Sequence, residues 1–325
     1  MRQTENVKRQ TTNVRVAHRA WFIVLLGLLA VVGVGCGGGS AETPAASAPT
    51  AVETLAVTPT PAPLPPITPT PALRTAYPRF KINEEMEARV IQEGVFLVTH
   101  AFPWPHNSLM VWSDATLLLV DTPYTPEATE TMLRWFKEQR ALTQPGESDY
   151  EIAAINTGFH YDNLGGNRYL VDQGIPVYGS ELTARLIEER GEALRELTLT
   201  WLAAPADRRY YEAHEQLSYV APTERFDVEE GLELTFGGEP VQVLYPGPSH
   251  TPDNVVVYFP ARKLLFGGCM ILGGDEVGNT ADADMEAWPE SVRRLMDLDV
   301  DLVVPGHGDR LDPGLIAHTV ELLTE

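Results

Sequence analysis

Cysteine is scarce in this chain: 325 residues hold only Cys36 and Cys269. Two thiols cannot staple a disulfide scaffold, and a thiol left unpaired has to be explained by its chemistry or its burial. Basic residues are scarce too, with 24 Lys and Arg against 45 Asp and Glu and a formal net charge of −21. Phosphate contacts need cationic side chains, so nucleic acid is excluded as a partner, and the acidic balance reads as a solubility device. Long apolar runs are missing: Trp21 to Val34 falls short of the about 20 residues that a membrane-spanning helix needs. No repeat recurs at solenoid periods, which excludes stacked-repeat architectures.

What is present begins with a targeting pattern. Arg2, Lys8, Arg9, Arg15 and Arg19 precede the apolar run, which exits through small residues into Cys36. Gly33-Val34-Gly35-Cys36 resembles a bacterial lipobox, with Gly33 where Leu is usual. Residues 1–36 are therefore expected to be a lipoprotein signal that ends in a lipidated Cys36; an uncleaved anchor is the other reading. Either way the remainder is exported and tied to the outer face of the cell membrane, or faces the periplasm. Residues 37–78, Gly/Ser-rich and then rich in Ala, Thr and Pro, cannot bury a core and read as an extended tether. Residues 79–325 then form one folded domain, expected to be monomeric, and the 44% hydrophobic content of the chain suits an ordinary core.

Within that domain short apolar runs alternate with helical patterns. Strands are predicted at 89–99, 108–112, 116–120, 152–155, 232–236, 241–245, 255–259, 264–266 and 302–304. Helices are predicted at 127–140, 164–172, 181–201, 285–298 and 313–323. The order fits an α/β domain in which two sheets pack face to face with helices outside, although periodicity does not choose that layout over other α/β arrangements.

Four segments at strand ends carry residues capable of chemistry. They are 156–166 with His160 and Asp162, 247–254 with His250, Gly267-Gly268-Cys269, and 304–309 with His307. Taken singly, a loop His or Asp is a surface hydrogen-bonding group, and a Cys after Gly-Gly is a small buried hydrophobe. Taken together, imidazole, thiolate and carboxylate are the ligand types of zinc, and a catalytic zinc uses three protein ligands with one open position.

These segments, in this order, resemble those of the metallo-β-lactamases from about Arg89 to Leu323. The resemblance implies an αββα sandwich and two groups of ligands. His160 and His250 fall in the three-histidine group, and Asp162, Cys269 and His307 complete the Asp–Cys–His group. The leading histidine of the first group is replaced by Gly158, so about one tightly bound zinc, Zn(2+), is expected. Alternatively Gly158 adopts a positive φ that a Cβ would strain. The resemblance also assigns Asn279 to polarising a substrate carbonyl, with a loop-capping amide as the alternative. Asp121 corresponds to a supporting residue at a strand end, or simply caps a turn.

The departures are informative. Asn163 stands where the wider zinc-hydrolase superfamily carries His, which with Cys269 favours the β-lactamase branch. Leu272 stands where a Lys usually meets the substrate carboxylate, and no Lys or Arg occurs from Met270 to Asn279. Gly158 stands where the mono-zinc subclass has Asn; Ile155-Asn156-Thr157, Gly165-Gly166-Asn167, His250-Thr251-Pro252-Asp253 and the helix at 181–201 resemble that subclass, and 303–308 and 278–283 resemble the di-zinc subclass. Trp104 and His106 fall on the loop that in the family covers substrate, with His106 read as a surface group. His18, His100, His214 and His318 are given no catalytic role.

The expected activity is hydrolysis of a cyclic amide in a small-molecule substrate. Zinc would act as Lewis acid, and Asp162 or His160 would take the proton of the attacking water held near His160, His250 and Asp162. Two other readings stay open: hydrolysis of a different ester or amide, suggested by Leu272, and a non-catalytic zinc-binding lipoprotein, suggested by Gly158.

Overall fold

The computed structural model describes residues 77–143 and 150–325. The signal at 1–36 and nearly all of the tether at 37–78 lie outside the described residues. Among the described residues no helix is long and apolar enough to cross a membrane.

Two sheets are formed. The first has eight strands in chain order: β1 (Arg79–Lys81), β2 (Met86–Gln92), β3 (Val95–Ala101), β4 (Pro105–Ser113), β5 (Thr116–Val120), β6 (Glu151–Ile155), β7 (Val177–Ser180) and β8 (Glu224–Phe226). The first five strands pair antiparallel, and β5 to β8 pair parallel. The second sheet comprises β9 (Leu232–Phe236), β10 (Glu239–Leu244), β11 (Val256–Phe259), β12 (Leu264–Leu272) and β13 (Leu302–His307), in the order β13-β12-β11-β10-β9. The β12–β13 pair is parallel and the others antiparallel.

Strand periodicity explains how the layers assemble, because successive side chains point to opposite faces. Leu118 and Val120 of β5 meet Val257 and Phe259 of β11 and Leu302 and Val304 of β13 in one buried cluster between the sheets. The alternate residues face outward. Leu117 and Leu119 pack with Met132, Leu133 and Phe136 of helix α1 (Pro126–Thr143). Two short helices follow β6, namely α2 (Tyr161–Leu164) and α3 (Asn167–Asp172); a long α4 (Glu181–Trp201) and α5 (Arg208–Gln216) come before β8. On the far side Val256, Leu265 and Val303 pack with Trp288 and Val292 of α6 (Trp288–Arg293) and with Leu315 and Ile316 of α7 (Leu315–Thr324). Each such side chain withdrawn from water contributes on the order of 1.5–3 kcal/mol, which is why strands apolar on both faces demand helices outside. The fold is an αββα sandwich, as the resemblance implied.

Several predicted boundaries move. The run at 89–99 is two strands, because the chain reverses at Glu93-Gly94 with Gly94 at φ 69°. The strand at 264–266 continues to Leu272, and all nine of its residues are buried. The helix at 164–172 is split into α2 and α3, and the one at 285–298 shortens to α6.

Candidate metal centre

All four chemically promising segments converge at one end of the sandwich, reached from β6, β12 and β13 and from the loop after β10. The loop after β6 delivers His160 and Asp162 at the start of α2, with His160 in extended conformation just before the helix and Asp162 in its first turn. Amide side chains brace this loop: Asn156 Nδ2 donates to Asn163 O at 3.0 Å, and Asn167 Nδ2 donates to Asn156 Oδ1 at 2.7 Å. Asp121 lies beneath it, wholly buried, with its own backbone at φ 58°. Its carboxylate accepts from Thr157 N at 2.8 Å, Thr157 Oγ1 at 2.7 Å and Asn163 Nδ2 at 2.9 Å. Burial pushes the Asp121 carboxyl up to about 8 against those three donors. Asp121 thus holds the ligand-bearing loop to the sheet rather than merely capping a turn.

Cys269 reaches the site because β12 is irregular. Its register against β13 shifts on both sides of Gly268, and Gly268 sits at φ 52°, in the left-handed region open mainly to glycine. His307 ends β13, and its Nδ1 lies 2.7 Å from Pro105 O. A ring that donates Nδ1–H to a carbonyl presents its Nε2 lone pair to the site.

The donors then meet. His307 Nε2 is 3.1 Å from Asp162 Oδ2 and 3.7 Å from Cys269 Sγ, and Cys269 Sγ is 3.9 Å from Asp162 Oδ2. A tetrahedral zinc with bonds of about 2.0–2.3 Å would separate its donors by roughly 3.3–3.6 Å, so the set fits that ion. Asp162 Oδ1 is buried without a hydrogen-bond partner among the described residues, and so has a lone pair suited to a cation. Burial alone would raise the Asp162 carboxyl, but the hydrogen bond to His307 and the imidazoles of His106, His307 and His160 outweigh it and hold it well below the carboxylate range. Burial, then the charges of Asp162 and Asp121, push the Cys269 thiol far up. A bound divalent cation inverts that balance and favours thiolate.

His106 differs from its sequence reading. It is not a surface group: it belongs to β4, is 1% exposed, and offers a ring nitrogen to the cluster of Asp162, Cys269 and His307, whose ligand atoms all lie within 4.8 Å of one another. The signal available was its place at the head of a strand in which His106 to Val111 are all buried.

His160 and His250 sit beside this group, with ring centroids 5.1 Å apart and near-perpendicular planes. His160 Nε2 is 2.9 Å from Asp282 Oδ2, and Arg190 of α4 bonds the other oxygen of Asp282. Thr183, also on α4, donates to Asp253 Oδ2 at 2.7 Å, and Thr251 donates to Asp253 Oδ1 at 2.7 Å. Gly158 has no side chain to add, and its φ lies outside the left-handed region. Asn279 is exposed on the pocket wall, its Oδ1 accepting from Ala281 N at 3.1 Å.

A cavity of about 780 Å³ joins these groups. Trp104 and Trp201, about two-fifths exposed, stand at right angles with centroids 6.3 Å apart on its wall. Leu272, Asp275 and Glu276 also line it, and among the described residues no Lys or Arg does.

A family model described as the metallo-beta-lactamase superfamily matches residues 101–307, a span that holds every donor above. The chain belongs to the metallo-β-lactamase superfamily. A metallo-beta-lactamase type 2 of Pseudomonas aeruginosa is 32% identical over 259 residues, covering 77% of this chain and 87% of that protein. One of Bacillus cereus is 30% identical over 225 residues, covering 67% of this chain and 73% of that protein. Among solved structures, a metallo-beta-lactamase from Pontibacter korlensis superposes with a TM-score of 0.59 at 31% identity, covering 74% of this chain and 99% of that one. The superfamily comprises zinc-using hydrolases of small molecules, and the His106, Asp162, Cys269 and His307 cluster is where this member could hold a metal.

Proposed function

We propose that this protein is a zinc-dependent hydrolase that opens the β-lactam ring, a cyclic amide, with zinc held by Asp162, Cys269 and His307. The observation that carries the reading is the meeting of three unlike donors at near-tetrahedral spacing, beside the His160–His250 pair, on the wall of one cavity. Bound zinc would supply Lewis-acid polarisation of the amide and stabilisation of charge on the departing nitrogen. The chain's own residues divide the remaining work. Asp162, held ionised, has two carboxylate oxygens, so that one can face the ion while the other accepts a proton from an attacking water. His160, with Nε2 2.9 Å from Asp282 Oδ2, has Nδ1 as its other ring nitrogen and is the second candidate acceptor. His250 and Asn279 line the space for the substrate. Trp104 and Trp201 offer apolar faces that exclude water.

A second reading, hydrolysis of another ester or amide, is favoured by the absence of any Lys or Arg in the cavity lining, which leaves a substrate carboxylate without a cationic partner. Turnover of a β-lactam panel beside an ester and amide panel, with zinc analysis, decides. Lactam turnover supports the first reading, and turnover only of the other panel supports the second. Bound zinc with no turnover would make the protein a non-catalytic zinc binder. By its leader sequence, the domain is proposed to act outside the cell on a lipid anchor at Cys36.

A further inference from the structure

His106 is the residue that neither the Asp–Cys–His group nor the His160–His250 pair uses. It is 1% exposed, and among the described residues neither ring nitrogen has a hydrogen-bond partner. A buried polar group left in that state is costly, so a well-packed site calls for a partner. The surroundings narrow what the partner can be. The His106 ring stands edge-on to His307 with centroids 5.0 Å apart, and to Tyr124 at 6.0 Å. A ring nitrogen lies within 4.8 Å of the donor atoms of Asp162, Cys269 and His307, too far from each for a hydrogen bond. Asp162 Oδ1 is orphaned in the same place. Four lone-pair donors facing a shared gap, two of them unpartnered, describe a cation site and not a hydrogen-bond network.

We infer that His106 is a fourth protein ligand, so that the ion is bound by Asp162, Cys269, His307 and His106. The inference rests on the zinc site proposed above and extends it. Two imidazoles, one thiolate and one carboxylate are a ligand set for zinc. The chain thus lacks an imidazole at Gly158, on the His160–His250 side, and holds an additional one on the Asp–Cys–His side. Four protein donors are also the count of closed sites, whereas catalytic zinc keeps one position open. Turnover in this protein therefore requires either a fifth position or release of His106, whereas tight metal retention requires neither.

The test is X-ray absorption at the zinc edge of the zinc-loaded full chain, beside zinc affinity of His106→Ala and His106→Phe, the latter keeping the ring volume. Two imidazole scatterers are expected in the wild type and one in each variant, with zinc affinity lowered at least 10–100-fold, since even groups that only orient ligands cost that much. Cobalt(II)-loaded wild type should show the intense visible bands of a four-coordinate tetrahedral ion, weakened or shifted in the variants. A single imidazole in the wild type, or unchanged affinity in a folded variant, overturns the inference, and the wild-type count can overturn it even if neither variant folds. Two imidazoles without turnover of any panel member would refute the hydrolase reading and leave His106 as ligand. Turnover with one imidazole would do the reverse.

Discussion

A Cβ placed on Gly158 would lie 2.6 Å from Asn254 Nδ2, 3.3 Å from Asn163 Oδ1 and 3.4 Å from Thr251 Oγ1. The first distance is a collision, and Asn254 is poorly placed to yield. It is 1% exposed, its Oδ1 accepts from Thr251 N at 2.8 Å and from Ser249 Oγ at 3.2 Å, and its Nδ2 donates to Thr157 O at 3.3 Å. Overpacking of this kind costs about 1–3 kcal/mol. Loosening one or two of the three hydrogen bonds adds about 1 kcal/mol each. Gly158→Ala is therefore expected to lose roughly 2–4 kcal/mol, which for a domain of this size lowers Tm by roughly 5–15 °C. The cause would be the side-chain collision, because the backbone at 158 is not in the left-handed region. A double-mutant cycle with Asn254→Ala tests this, since trimming the obstacle should recover part of the loss as a coupling energy of about 0.5–3 kcal/mol. A Gly158→Ala melt within about 1 °C of the wild type, at matched zinc occupancy, would refute the packing argument. The same geometry qualifies the restoration of a third histidine: Gly158→His should recruit a second zinc only when Asn254 is also trimmed, as native mass spectrometry would count.

Other outcomes follow from the same site. The wild type should carry about one tightly held zinc by native mass spectrometry, and two would contradict the reading of Gly158 as a lost ligand. Cys269→Ala should lose most of its zinc and all hydrolysis; a variant with full metal and activity would make Cys269 a core residue only. Zinc retention should fall as pH falls, because protons compete for the Cys269 thiolate and the imidazoles, and retention that does not change across dialysis at acidic and mildly alkaline pH would argue against thiolate ligation. Asp121→Asn replaces an acceptor of three hydrogen bonds by a group with one oxygen, and should cost about 1–3 kcal/mol in a denaturant titration. Cys36→Ser is expected to abolish lipid labelling, and persistent labelling would remove the anchor from the picture.

The parts of the fold that could be read in advance are those where burial on both strand faces leaves a plain apolar record, as at Thr116–Val120 and Val256–Phe259. β7 and β8 were missed because four and three residues are too few for any period to show. α5 was missed because its Arg-Arg-Tyr-Tyr-Glu-Ala-His-Glu-Gln buries one side chain, His214. The candidate donors His160, Asp162, His250, Cys269 and His307 were legible because they fall in four segments rich in glycine and turn residues whose order the resemblance made specific. His106, at the head of β4 and outside those segments, was not, because its burial depends on β13 and α2, which are distant in sequence. Nor could spacing alone reveal that Asp282 and Arg190 stand behind His160.

Thr183 and Arg190 are seven residues apart on α4, about two turns and 10 Å along one face. One tie runs to Asp253 and the other through Asp282 to His160. The helix is therefore a lever on His160, since a small roll or slide of α4 would carry with it the Asp282 carboxylate that this imidazole bonds, whereas Cys269 and His307 are mounted on β12 and β13. Adaptation to a new substrate need not pass through the pocket. Selection for altered substrate range should enrich substitutions on the outer face of α4, far from any reacting atom, and a selected library whose changes fall only on pocket-lining residues would show that the lever is locked.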